Sequence, residues 1–195
     1  MYKEYCTGCG LCASIKDVDI EMEKNGFREI SFSDNRDGLL EKVCPSGGVQ
    51  CEQLEPGKIW GREHGVFLSY SLNSSVRKKA SSGGVLTTIA LYLLDHKLVD
   101  GIIQVKGKDS DPIETEVVCS QTKEEVLACM GSRYSSSMPL DNIKSFLDEN
   151  RKYAFIGKPC DVTALRNYLR LQPEHNGKIL YMLSFFCAGA PSKYA

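Results

Sequence analysis

The sequence is poor in histidine, has a single tryptophan, carries no excess of either charge and lacks any long apolar run. Its three histidines, His64, His96 and His175, stand alone with no motif around them, and each reads as a surface residue. With 24 basic against 25 acidic side chains, the net charge of −1 leaves no electrostatic footprint for nucleic acid or an anionic membrane. The longest apolar stretch, Gly83 to Leu94, contains two threonines and is too short to cross a bilayer, so it predicts a buried core helix and no membrane span. Internal repeats and low-complexity tracts are absent, and the opening Met-Tyr-Lys-Glu-Tyr-Cys has no apolar run of a secretory signal. A hydrophobic content of 42% with 25% charged residues excludes disorder and collagen-like repeats. What is abundant is cysteine. Nine thiols in 195 residues is an odd number, which excludes a fully paired secreted framework and predicts a cytoplasmic protein using cysteine for metal or redox work.

Two regions differ in composition. Residues 1–58 are cysteine-rich and glycine-punctuated, residues 64–195 alternate short apolar runs with helical patterns, and Pro56-Gly57 marks the seam. In the first region Val18 to Phe32 reads as a hairpin. A three-residue loop, Lys24-Asn25-Gly26 with Gly26 left-handed, pairs Ile20 with Ile30 and Val18 with Phe32 on one face. A short helix, Asp37 to Val43, then delivers Cys44. In the second region strands are expected at Val66–Leu72, Ile102–Lys106, Glu116–Ser120, Tyr153–Gly157 and Lys178–Cys187. Helices are expected at Ser82–His96, Thr122–Met130, Leu140–Glu149 and Pro159–Arg170. The expected fold is a small ferredoxin-like iron–sulfur module followed by an α/β domain with a mixed sheet, α+β and α/β in one chain. Ala195 follows the last expected strand where another helix would come, so the second domain reads as cut short.

Cys6-x2-Cys9-x2-Cys12, with the remote Cys44-Pro45, is the most specific pattern. Three thiolates at three-residue intervals curl around one face of a cubane, Gly8 and Gly10 let backbone amides approach the sulfurs, and a distant Cys-Pro supplies the fourth ligand. Structural zinc usually takes two separated Cys-x2-Cys hooks, so the spacing favours a 4Fe–4S cluster over zinc. Cys51 is an alternative to Cys44, although Pro45 favours Cys44.

Ser81-Ser82-Gly83-Gly84 runs straight into an apolar helix and is suited either to a pyrophosphate or to a plain helix cap. It is neither a Walker motif nor a Gly-x-Gly-x-x-Gly fingerprint. Gly157-Lys158-Pro159-Cys160 ends a strand and starts a helix, which places Cys160 in a first turn where the dipole favours a thiolate. Cys187 ends the next strand, and both thiols fall at the carboxyl edge of the sheet, as ligands or as inert core groups. Cys119 and Cys129 read as core. The loop Gly131 to Ser137, with Arg133 and Tyr134, offers a cation and a ring to a phosphate or an aromatic ligand, or is only a solvated linker.

These segments in this order resemble the beta-subunit family of coenzyme F420-reducing hydrogenases and dehydrogenases, which includes bacterial flavoproteins and a plant chlorophyll-cycle reductase. The resemblance rests on Tyr5 to Cys12, Cys44-Pro45, Ala80 to Leu86, Gly131 to Tyr134, Ile156 to Asp161 with Ala164 to Arg166, and Phe186-Cys187 with Gly189. It implies an iron–sulfur flavoprotein oxidoreductase that passes electrons between a hydride carrier, coenzyme F420 or similar, and 4Fe–4S clusters through FAD. It also implies that Ser81, Ser82, Gly83, Gly84, Ser132, Arg133 and Tyr134 contact the flavin, and that Lys158 and Cys160 lie near its ring or near a second cluster. Cys6, Cys9, Cys12 and Cys44 hold the first cluster on this reading. The implied partners are other oxidoreductase subunits or a ferredoxin-type carrier, and the small-molecule hydride carrier. Family members continue beyond this length with a later Cys-x-x-Cys, and the remaining ligands of a second cluster are absent from this sequence. The alternative is a non-catalytic 4Fe–4S electron-transfer subunit docked on a larger oxidoreductase.

Overall fold

The computed structural model describes residues 6–16, 18–30, 38–49, 63–111 and 113–194. Cys51, the seam at Pro56-Gly57, and Phe32 of the expected hairpin pairing lie outside the described residues. A four-stranded mixed sheet organises the chain. Its strands are β3 (Gly101–Gly107), β4 (Thr115–Ser120), β5 (Tyr153–Gly157) and β6 (Ile179–Ser184), in the order β4-β3-β5-β6. β3 runs parallel to β5 and β5 parallel to β6, while β4 returns antiparallel to β3.

The central strands are apolar without alternation because both faces are covered. Ile102 and Ala154 face α4 (Val85–Asp95) and α5 (Lys123–Ala128), packing with Ala90, Leu93, Val99 and Val126. Ile103, Tyr153 and Phe155 face α6 (Ile143–Asp148) and α7 (Pro159–Leu171), packing with Ile143, Leu147, Leu165 and Tyr168. The cysteine-rich segment sits on this second face. Leu11 of α1 (Leu11–Lys16) and Val43 of α2 (Leu39–Val43) belong to the same buried cluster as Leu140 and Leu165. Between these helices lies the hairpin of β1 (Ile20–Met22) and β2 (Arg28–Ile30), with Ile20 opposite Ile30 and Gly26 left-handed at φ 80, the register the sequence predicts.

The structure corrects several expectations. Val66 to Leu72 forms no strand among the described residues, and Val66, Phe67, Leu68 and Leu72 are exposed. Alternating apolar residues supply a strand's faces but not its hydrogen-bonding neighbour. α4 is not a fully buried helix. It forms an outer layer in which only Ala90 and Leu93 are buried, and it starts at Val85 after a short 3-10 turn at Ser82–Gly84. His175 is buried, not a surface residue, because the turn Pro173–His175 folds its ring back against Tyr168 at 6.2 Å. Two short helices, α1 and α3 (Ser74–Lys79), escaped the sequence reading.

Candidate functional site

Cys6 and Cys9 lie on a loop whose Gly8 and Gly10 adopt φ of 65° and 86°; Cys12 follows in the first turn of α1, and Cys44 ends α2. The loop is docked, not free. The Leu140 amide donates to the Cys9 carbonyl at 2.9 Å, and the Lys144 amide to Ser14 Oγ at 3.0 Å. Gly10 permits this approach, since a Cβ there would stand 2.8 Å from the Asp141 nitrogen.

The thiols act on one another. Burial pushes the Cys9 thiol far up, opposed by the Leu11 amide, while Asp161, Cys12 and Cys44 push it further. Burial raises Cys12 to about 11, with Cys6 and Cys44 adding to the rise. Cys44 Sγ lies 3.0 Å from Ser46 Oγ. Among the described residues no three histidine, cysteine or acidic side chains converge on a point that could hold a single metal ion. All eight described cysteines are free thiols.

β5 ends at Gly157 and α7 begins at Pro159, so Lys158 and Cys160 stand at the carboxyl edge of the parallel strands. Asp161, 1% exposed, accepts from the Lys158 amide at 2.8 Å and pairs with Lys158 Nζ at 3.0 Å. Burial pushes its carboxyl up while Lys158 holds it down. Lys158 Nζ also donates to Ser137 Oγ at 3.2 Å. The Cys160 thiol is raised by burial and by Asp161, and Lys158 and a hydrogen bond from Thr7 of the thiol loop oppose the rise.

The two polar loops meet at the same edge. The Ser132 amide and hydroxyl both donate to Ser81 Oγ at 2.9 Å. Ser81 and Ser82 are exposed, and Gly83 and Gly84 are left-handed at φ 76° and 77°. No side chain caps α4, which continues directly from the 3-10 turn Ser82–Gly84. Arg133 lies across Gly107 at the end of β3, and Tyr134 is 81% exposed.

Separate contacts link pairs of the expected site segments: Lys158 to Ser137, and Ser132 to Ser81, with Thr7 of the thiol loop acting on Cys160. Cys187 is exposed beyond the end of β6 and takes part in none of them. Cys119 and Cys129 are half-buried, each raised chiefly by burial. Sequence reading missed Thr7 and Asp161, although Asp161 at the third position of a helix was a legible capping residue. It also missed a cavity of about 540 Å³ where Lys108 and Lys193 join Arg133 and Tyr134.

Residues 66–144 match the family described as coenzyme F420 hydrogenase/dehydrogenase, beta subunit N-term, and residues 150–195 match its C-terminal counterpart. The F420-dependent formate dehydrogenase subunit beta of Methanocaldococcus jannaschii is 31% identical over 127 residues, covering 64% of this chain and 32% of that protein. The coenzyme F420 hydrogenase subunit beta of Methanosarcina barkeri is 32% identical over 126 residues, covering 60% and 42%. A chain in the solved F420-reducing NiFe hydrogenase complex of Methanosarcina barkeri superposes with a TM-score of 0.56 at 27% identity, covering 60% of this chain and 42% of that one. The chain thus spans between 32% and 42% of the length of these two relatives. With both family segments matched in order along one sheet, the chain belongs to the coenzyme F420 hydrogenase/dehydrogenase beta-subunit family.

Proposed function

We propose that this chain is an iron–sulfur flavoprotein portion of an F420-linked oxidoreductase, holding a 4Fe–4S cluster on Cys6, Cys9, Cys12 and Cys44 and FAD on the two serine loops. The observation that carries the reading is the junction of the site loops: Lys158 Nζ, paired with Asp161, donates to Ser137 Oγ on the loop whose Ser132 bonds to Ser81 Oγ, and Cys160 follows Lys158 by two residues in α7. A bound flavin takes up two electrons as hydride and releases them singly, which suits a one-electron acceptor such as a cluster.

The residues present fit both groups. Each cysteine of a cubane binds its own iron, so four thiols must surround a volume; a single ion requires them to share a point. Cys6, Cys9, Cys12 and Cys44 would each take one iron, as the three-residue spacing and the remote Cys44-Pro45 suit. Arg28 packs against Gly8, and its Nε is buried without an acceptor among the described residues, a donor that a cluster sulfide could satisfy. On the flavin side, the exposed Ser81 and Ser82 hydroxyls at the turn into α4 would receive phosphate, and Tyr134 offers a ring face. Lys158, held by Asp161, is placed to keep a positive charge near the flavin end of the thiol loop. The partners on this reading are other oxidoreductase subunits and the deazaflavin carrier, as the names of the relatives imply for those proteins.

Anaerobic purification followed by iron and flavin analysis, absorbance and EPR tests the proposal. About four iron atoms and one FAD per chain, with a reducible cluster signal, are expected. Iron without flavin supports instead the electron-transfer subunit, and a colourless protein with stoichiometric zinc overturns both.

A further inference from the structure

A buried donor without an acceptor stands against the thiol loop. Arg28 opens β2 opposite Met22. A Cβ placed on Gly8 would lie 3.5 Å from Arg28 Cβ and 3.6 Å from its carbonyl oxygen, so the base of the side chain abuts the bend between Cys6 and Cys9. The side chain is half-buried, its Nε is buried with no acceptor, and the guanidinium makes no ion pair among the described residues. A guanidinium cannot be deprotonated in a protein, so it does not escape desolvation by losing its charge. A charged donor taken from water without a partner is destabilising.

The neighbours do not supply that partner. Ser136 Oγ, 3.6 Å from the same point on Gly8, accepts nothing from Nε. Burial raises the Asp141 carboxyl, and the Asn142 amide and then Arg28 pull it down, but Arg28 acts there through its charge and not through a hydrogen bond. Arg28 and Asp141 thus bracket the loop that carries Cys9, one against Gly8 and the other against Gly10. Lys158, the buried cation on the other side of the site, has both the Asp161 carboxylate and the Ser137 hydroxyl. We infer that Arg28 donates its Nε–H to a sulfur of the cluster held by Cys6, Cys9, Cys12 and Cys44, and so raises the cluster's reduction potential. This role rests on the iron–sulfur reading and adds to it a residue outside the four ligands. Reduction adds one electron and one negative charge, with no bond made or broken. A fixed guanidinium beside the sulfurs favours the added charge, since net charge and hydrogen bonds to sulfur set the potentials of such clusters. Lysine would bring the charge but not an N–H on a rigid planar group.

A potentiometric titration with dithionite tests this on the full chain, its cluster reconstituted anaerobically and the reduced fraction read by EPR. Arg28→Met should lower the equilibrium constant for reduction about tenfold, which is about 59 mV for a one-electron couple. Arg28→Lys should recover part of the loss, and Lys123→Gln on α5 should leave the potential unchanged. A merely structural arginine would alter iron retention and leave the potential of the loaded fraction where it was, and that result overturns the inference. If neither Arg28 variant retains iron, the wild type decides alone. With nitrogen-15 at arginine Nε, pulsed EPR of the reduced cluster should show a coupling to that nitrogen, and its absence overturns the inference. A wild type that binds iron but fails these tests leaves the iron–sulfur reading standing; a wild type that takes up no iron removes both.

Discussion

Ser132 gives both its amide and its hydroxyl to the oxygen of Ser81, at 2.9 Å each, and so fastens the Gly131–Ser137 loop over the glycine turn that opens α4. Both acceptor positions of Ser81 are thereby used, leaving its own proton to point outward as a donor. Net contributions of such exposed bonds are about 1 kcal/mol each. Ser81→Ala is therefore expected to lower the melting temperature by only about 2–6 °C. FAD binding, followed by flavin fluorescence, should weaken about tenfold because the two loops lose their common register. Unchanged flavin affinity beside the same thermal loss would reduce the junction to a structural tie.

Gly10 and Gly8 are both left-handed, but their surroundings separate them. A Cβ at Gly10 would stand 2.8 Å from the Asp141 nitrogen and 2.9 Å from Met138 Cβ, whereas at Gly8 the nearest atom, Arg28 Cβ, is 3.5 Å away. Gly8→Ala should cost only the left-handed penalty, about 1–2 kcal/mol. Gly10→Ala must also push back the chain ahead of α6 and should cost about 3 kcal/mol or more, with loss of iron incorporation. Urea denaturation and iron analysis of the two variants check the order; equal costs would contradict the docking of the thiol loop.

The parts of the fold legible in the sequence were those written in local chemistry. Gly26 and the alternation around it specified the Ile20–Ile30 register, and the alternation of strands with helices implied the α/β sheet that holds β3, β5 and β6. Pro159 marked the start of α7. What stayed illegible depends on distant partners. Val66 to Leu72 has a strand's composition, but only tertiary contact could tell whether a neighbouring strand exists. His175 looked exposed because nothing nearby in sequence announces the Tyr168 ring that covers it. In the site, the cysteine spacing and the serine–glycine turn were visible at once. The action of Thr7 on Cys160 and the Glu114–Lys193 bridge join residues far apart in the chain, and neither has a spacing to read.

The Lys158–Asp161 pair, with side-chain exposures of 13% and 1%, belongs to the class in which removing one partner strands a buried charge. Asp161→Ala also removes the acceptor for the Lys158 amide. It should cost about 3–5 kcal/mol in chemical denaturation. Lys158→Met with Asp161→Leu replaces both charges by apolar volume and should recover most of that loss, apart from about 1 kcal/mol for the missing cap. A double variant no more stable than Asp161→Ala would show that the cost lies in the cap or the packing and not in the uncompensated ammonium.

Thiol reactivity should follow burial and docking. Cys187 is exposed, whereas burial pushes Cys9 far up and Cys12 to about 11. In metal-free protein at pH 8, iodoacetamide should modify Cys187 first and Cys9 last, read by peptide mass spectrometry, because the thiolate is the attacking form. Gly10→Ala should speed labelling of Cys9 and leave Cys187 unchanged. Rapid labelling of Cys9 in the wild type would mean that the loop is not held against α6 in solution.

Glu114 supplies the pH dependence. Hydrogen bonds from Lys108 and Lys193 pull its carboxyl down to about 2, below the unfolded value of about 4.3. A depressed folded pKa means that the unfolded chain binds the proton first as the pH falls. The contribution to stability is therefore fully present above the ordinary carboxylate range and is lost between pH of about 4.3 and 2. The melting-temperature difference between wild type and Glu114→Gln should stay constant from pH 8 to 5, narrow below 4 and close near 2. Because the network is partly exposed, the plateau should correspond to about 1 kcal/mol or less and shrink in high salt. Amide exchange at Lys193, whose N–H donates to the Gly26 carbonyl, should quicken in the same variant at neutral pH. A difference that vanished already at pH 5, or one unaffected by salt, would show that Glu114 acts through packing and not through its charge.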